Sequence, residues 1–285
     1  MAKRLLGKEV NQDLNDKIKK NVEKLQKKGI APKLAIIRVG DNPGDISYEK
    51  GATKRCQALG VLCEKVLLPH EVSEEDLLSV IDRVNKDNEI HGVLLLRPLP
   101  KHINQELVEN ALDSAKDVDC MTNSSMTGVF TGKSIGFPPC TAQACMEILD
   151  HYKVDCSGKR AVIVGRSMVV GKPAAMMLLS KNATVTICHT KTKDMPSVIR
   201  EADIVIAAAG HPGVISAECL HPGQTIIDVG INVDSDGNLS GDVDFTQAES
   251  VVDAITPVPG GVGSVTTSVL VSHVVDAAVK KAGIQ

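Results

Sequence analysis

The stretch YEKGATK, residues 48–54, sets a phenol close to two ammonium groups, residue types suited to general acid–base chemistry. On an α-helix each residue turns the chain by roughly 100°, which puts Lys50 and Lys54 roughly 200° and 240° around from Tyr48, on the far face. The position that shares Tyr48's face is four residues on, and it holds Ala52. Spacing alone therefore leaves the tyrosine without a partner on its own face.

Two glycine-rich turns offer a different chemistry. In VGRSMVVGKP, Gly165, Ser167 and Gly171 follow an apolar strand pattern and precede a helix pattern. Small residues there let backbone N–H groups approach a pyrophosphate at the helix N-terminus, and Pro173 suits the first turn of that helix. The spacing is G-x-S-x-x-x-G, so the strand–turn–helix context, more than the motif, predicts a nucleotide site. The next strand pattern, TVTICHT, ends in His189 and Thr190, with Lys191 following and no acid. An Asp or Glu at that place would hold a ribose 2′-OH. Its absence, together with Arg166 in the turn, favours NADP over NAD. On position alone, Arg166 also reads as a solvated surface residue and His189 as a strand-end histidine satisfied by backbone. PVPGGVG, residues 257–263, is the second turn; its density of Gly and Pro suits close approach to a ligand without naming one.

The elements that position these residues alternate along the whole chain. In the first half, helices over NQDLNDKIKKNVEKLQKKG, ISYEKGATKRCQALG and SEEDLLSVIDRVNKD intersperse strands KLAIIRVG, VLCEKVLLP and GVLLLRPLP. Ser73 and Asp76 form a capping pattern, and Gly29 and Gly60 read as helix stops. Residues 116–140 read as a loop. A helix over TAQACMEILDHY marks the boundary, after which the alternation restarts with KRAVIVG and ends in the helix TTSVLVSHVVDAAVKKAG. This pattern predicts an α/β fold of two domains, each with a mostly parallel sheet flanked by helices.

Bulk properties narrow the class. The chain has 285 residues, a formal net charge of −3 and five aromatic residues outside histidine, which argues against a nucleic-acid partner. No signal peptide is read at MAKRLLGKEV, and the apolar runs read as too short to span a membrane, so the expected location is the cytoplasm. The eight cysteines form no C-x-x-C pair and read as free thiols. Cys140, just before a helix start, has an alternative reading as a reactive thiol. No ligand cluster suggests a metal.

Taken together, VGDNPGDISY, RPLP, KDVDCMTNSSMTG, PPCTAQACMEIL, VGRSMVVGKP, DVGIN, GDVDF and TPVPGGVGSVTTSVL resemble the methylenetetrahydrofolate dehydrogenase/cyclohydrolase family, in family order over essentially the whole chain. The resemblance implies a folate-binding catalytic domain (residues 1–140 plus a returning helix over about 267–285), a Rossmann-type NADP domain (141–266), a folate cleft between them, and a homodimer. It places Gly165, Arg166, Ser167, Gly171, His189 and Thr190 along the cofactor, and Asp228, Gly230 and Ile231 near the nicotinamide. Tyr48, Leu99, Asp119, Pro259, Gly260 and Gly261 fall on the tetrahydrofolate side, with Tyr48 and Asp119 as the catalytic pair.

The chain also departs from that family. The family lysine four residues after the tyrosine is Ala52, and the family glutamine is Leu96. The usual Gly after the aspartate is Cys120, and the usual Pro after GGVG is Ser264. Hydride transfer needs substrate and nicotinamide held together, whereas hydrolysis needs an activated water and proton transfers. The implied activity is therefore NADP-dependent oxidation of 5,10-methylenetetrahydrofolate to the methenyl form, with weak or absent cyclohydrolase activity. The alternatives are a fully bifunctional enzyme producing 10-formyltetrahydrofolate and a non-catalytic NADP- or folate-binding protein.

Overall fold

A computed structural model describes residues 1–284. By internal contacts the chain divides into two compact units, one formed by residues 1–12 and 141–266, the other by residues 13–140 and 267–284.

In chain order the elements are β1 (Lys3–Arg4), α1 (Gly7–Gln26), β2 (Lys33–Val39), α2 (Pro43–Ala58), β3 (Leu62–Leu68), α3 (Glu74–Lys86), β4 (Gly92–Leu95), α4 (Gln105–Ala111), α5 (Asn123–Thr131), α6 (Cys140–His151), β5 (Arg160–Val164), α7 (Gly171–Ser180), β6 (Thr184–Cys188), α8 (Met195–Arg200), β7 (Ile204–Ala207), β8 (Thr225–Asp228), β9 (Asn232–Val233), β10 (Leu239–Ser240), α9 (Phe245–Ala248), β11 (Ala254–Ile255) and α10 (Val262–Lys281).

The unit of residues 13–140 and 267–284 holds a parallel sheet in the order β3-β2-β4, with Leu34 opposite both Cys63 and Gly92. The central strand, β2, is a near-continuous apolar run whose residues Leu34 to Ile37 are fully buried, as expected where helices cover both faces. Ser73 caps α3 by accepting the Asp76 N–H at 3.1 Å. Residues 116–140 are more than a loop: α5 lies within them, capped by Thr122 Oγ1, which accepts from Ser125 N–H at 3.1 Å, and closed by Gly132 at φ 67°. Its Ser, Thr and Gly content marks the caps of a short helix as readily as a loop.

The other unit holds a six-stranded, all-parallel sheet in the order β1-β11-β8-β7-β5-β6. Strand order reverses between β5 and β7, and ligands bind at such switch points. The sequence reading put residues 1–140 in the first domain, but β1 pairs with β11, Lys3 opposite Ala254. Residues 1–12 therefore group with residues 141–266. A two-residue strand carries too little pattern to be read locally. Helix α10 is long and apolar enough to cross a membrane by composition alone, yet 72% of its apolar window is buried within the protein, as in a core helix.

Candidate active site

Asp119 is presented by a segment whose other charges hold the backbone in place. Val93 of β4 bridges in parallel to Asp117, so the KDVD run continues the sheet beyond β4. Lys116 Nζ donates to the carbonyls of Val84, Asn85 and Asp87 at 2.6–2.8 Å. Asp117 is fully buried and accepts the Met121 and Thr122 N–H groups at 3.0 and 2.8 Å. This turn puts Cys120 at φ 57°, the left-handed region in which a glycine would be unstrained. Gly92 lies under the same segment, where a Cβ would come within 2.6 Å of Val118.

The Asp119 carboxylate accepts the Cys140 N–H at 3.0 Å, at the start of α6. Burial raises its pKa; the Cys140 N–H and thiol and the Arg97 charge oppose that rise without cancelling it. Tyr48, half-buried on α2, lies close enough to Cys140 and Asp119 that their charges add to burial, and its phenol is pushed well above its ordinary value. The structure thus brings Tyr48 and Asp119 together and adds Cys140, which sequence reasoning weighed only as a reactive thiol. Its thiol is buried, donates to Val118 O at 3.2 Å, and is pushed far up in pKa by burial and by Asp119, so its role here is to hold Asp119. His273 of α10 donates from Nδ1 to the same Val118 carbonyl at 2.9 Å and stacks on Phe137 at 4.9 Å. No local signal in the sequence ties residue 273 to residue 118.

Ala52 is fully buried one turn after Tyr48, and Leu96 is 8% exposed just past β4. Lys50 and Lys54 are both exposed on an α2 that runs unbroken through Gly51, so no shift of register brings either lysine to the Tyr48 face. Leu99 packs in the hydrophobic core of the unit.

In the other unit, Gly165 follows β5 directly at φ 128°, where a Cβ would lie 2.1 Å from the O of Ala208, the residue after β7. At Gly171 a Cβ would lie 2.2 Å from Gly165 O. Both glycines are therefore required by backbone packing at the switch point itself. Arg166, Ser167 and Thr190 are exposed, and the N-terminus of α7 carries no side-chain cap. Of its first N–H groups, that of Lys172 already donates to Ser167 O at 3.0 Å and Pro173 has none, so it is the exposed turn ahead of α7 that fits a dinucleotide pyrophosphate. His189 is half-buried, and its Nδ1 accepts the Lys191 N–H at 3.1 Å, the backbone role that was its alternative reading.

Asp228, Gly230, Ile231, Pro259, Gly260 and Gly261 line one cavity of about 280 Å³ at the ends of β8 and β11. The Asp228 side chain serves the loop: it accepts the N–H groups of Gly230, Asp242 and Val243 at 2.9–3.0 Å. Burial nevertheless pushes its pKa up to about 6. Asp242, unremarked in the sequence, in turn accepts the N–H groups of Ala209 and Gly210 and ties the β7 loop to the β8 loop. At Ser264 the hydroxyl donates to Gly261 O at 2.7 Å in the first turn of α10, a position that proline also suits.

An all-parallel sheet with a glycine turn at its switch point, joined to a second parallel unit carrying Tyr48 near Asp119, defines a two-part α/β protein with a nucleotide-binding half. Residues 5–119 match the catalytic domain, and residues 139–282 the NAD(P)-binding domain, of tetrahydrofolate dehydrogenase/cyclohydrolase; the chain belongs to that family. It is 49% identical over 279 residues to the bifunctional protein FolD of Carboxydothermus hydrogenoformans, covering 97% of both chains. The crystal structure of the Campylobacter jejuni FolD enzyme superposes with a TM-score of 0.96 at 38% identity, covering 99% of this chain and 100% of that one. The Trypanosoma brucei dehydrogenase-cyclohydrolase, solved with NADP and an inhibitor, superposes with a TM-score of 0.93 at 32% identity, covering 99% and 98%.

Proposed function

We propose that this protein oxidises 5,10-methylenetetrahydrofolate to 5,10-methenyltetrahydrofolate with NADP and has weak or no methenyltetrahydrofolate cyclohydrolase activity. Family membership supports the first part. The dinucleotide supplies the hydride acceptor when bound, and the developing positive charge is shared by the folate nitrogens, so no protein base is required. The chain's own part is to bind and orient. The turn at Gly165 and Gly171 ahead of α7 receives the phosphates, and Asp119, held by the Cys140 N–H, accepts from the donor edge of the pteridine. Tyr48 packs on the substrate. Arg166 in the turn, with no acid after β6, supports NADP over NAD.

The observation that carries the second part is Ala52: the position one turn from Tyr48 is fully buried and holds a methyl group. With Leu96 also apolar, neither position can activate water or move a proton. The fully bifunctional reading is favoured by the relatives, which are named as bifunctional. Two assays separate the readings. Methylenetetrahydrofolate with NADP should produce reduced nicotinamide; a flat trace would leave a non-catalytic binder. Methenyltetrahydrofolate without cofactor should decay no faster than in buffer, and decay at the rate of a bifunctional relative run in parallel would overturn the second part.

A further inference from the structure

A cavity of about 380 Å³ opens where β4 begins, and its lining belongs wholly to the unit of residues 13–140 and 267–284. His91 comes from the position just before β4, Lys116 from the segment that continues the sheet beside β4, and Lys280 and Lys281 from the end of α10. Asp119 lies further along the Lys116 segment, toward the other end of β4. Three ammonium groups thus line the cavity with a single carboxylate, that of Asp113, whose Oδ1 already accepts the Ala115 N–H at 2.9 Å.

Lysines at helix ends commonly offset the negative end of the helix dipole. Lys116 does this for α3: buried, it spends all three of its N–H bonds on the carbonyls of Val84, Asn85 and Asp87. Lys280 and Lys281 do not do it for α10. Lys281 Nζ reaches across to Asn88, donating to its O and Oδ1 at 2.8 and 3.0 Å, and Lys280 Nζ donates to Ser134 O at 3.4 Å. Donors are left over on both ammonium groups, since each carries three. Among the described residues none of the three lysines is in an ion pair within 4.0 Å. Their charge is felt at His91, where burial first, then Lys281 and Lys116, hold the imidazole below its ordinary range.

We propose that this cavity is a second binding site, for a small phosphate monoester, in which Lys280 and Lys281 hold the phosphate and Phe137 and Ala277 contact its organic part. The charge fits: a phosphate monoester carries between one and two negative charges at neutral pH and three acceptor oxygens, which the spare lysine donors can meet. The size fits as well, because about 380 Å³ exceeds what a bare phosphate fills and falls in the usual range of small-molecule sites. Phe137 supplies an apolar face that is already fixed, half-buried and stacked on His273 with ring centroids 4.9 Å apart. Lys116 has no donor to spare and acts on the ligand through its charge alone.

The test is isothermal titration calorimetry of the full chain with phenyl phosphate and, separately, glucose 6-phosphate, which tell an aryl from a sugar ester. At least one should bind saturably, one per chain, with a dissociation constant below about 1 mM that rises with salt. Lys280→Ala with Lys281→Ala should weaken that binding by about tenfold or more, and Lys280→Arg with Lys281→Arg, which keeps both charges, should retain it. Two controls fix the place. Lys19→Ala with Lys20→Ala removes the same charge from exposed positions of α1 and should bind like the parent. Arg166→Ala should also bind like the parent, whereas a loss there would put the ligand at the turn ahead of α7 and overturn the proposal. Two further results overturn it: neither ester binding saturably to the parent, or binding that survives the double alanine change.

Discussion

Ala52 has no exposed surface and Leu96 almost none, so a polar group restored at either place enters a buried site and needs a partner. Ala52→Lys alone should lower the melting temperature, because an ammonium would be buried unpaired. Ala52→Lys with Leu96→Gln supplies an amide oxygen as acceptor. It should raise cofactor-independent methenyltetrahydrofolate hydrolysis by about 10²-fold over the parent, while nicotinamide reduction continues; no gain in hydrolysis would mean that these two positions do not explain the missing activity. Asp228 gives a pH signature. Its folded pKa of about 6 lies above the ordinary aspartate value of 3.8, so the folded state holds its proton more tightly. Its contribution to stability is full below about 3.8 and is lost as pH rises through about 6, a change of about 3 kcal/mol. The melting temperature of the parent minus that of Asp228→Asn should therefore fall across that window and flatten above it, and parallel curves would refute the assignment. Residue types and spacing singled out Tyr48 and the apolar place at Ala52, whereas Asp119 came from the family resemblance. Whether Asp228 faces a ligand or its own loop was not legible, since its acceptors' partners lie up to 15 residues away in the chain.

At the scale of elements, α2 is attached to its sheet by a buried ion cluster. Glu49 receives Arg38 Nε and Lys65 Nζ, each at 2.8 Å, and Arg38 also donates to Gly40 O and to Asp41. Burial pushes the Glu49 carboxyl up, but Lys65 and Arg38 outweigh it and hold the carboxyl below the usual range. Glu49→Gln keeps the size and removes the charge, leaving buried Arg38 with only the exposed Asp41 as its anion; a loss on the order of 2 kcal/mol is expected from thermal melting. Arg38→Met with Glu49→Met should recover much of it, because an apolar pair does not incur the desolvation of either charge. A double variant as unstable as the single one would show that the cluster itself is needed. The helix–strand alternation was legible because the central strands of both sheets read as short apolar runs bounded by turns. The ion cluster was not, because β2, α2 and β3 meet only once the crossover folds back.

For the whole molecule, the expected ligand linkage is directional. NADP at about 100 times its dissociation constant should stabilise the folded state by about 2.7 kcal/mol. The melting shift with NAD at equal concentration should be smaller, and Arg166→Ala should narrow the difference. Equal shifts in the parent would remove the case for NADP. Gly165→Ala would meet Ala208 O and should abolish both shifts.

The sequence alone determined the alternation of strands and helices, the turn at Gly165 and Gly171, the lack of an acid after β6, and the family. Each is carried by residues close together in the chain or by motifs in fixed order. Only the tertiary structure decided that residues 1–12 join the six-stranded sheet and that Cys140 and His273 converge on the Asp119 segment. Those placements depend on which surfaces pack against each other, and contacts between residues up to 251 positions apart, as at Lys3 and Ala254, leave no local periodicity to read.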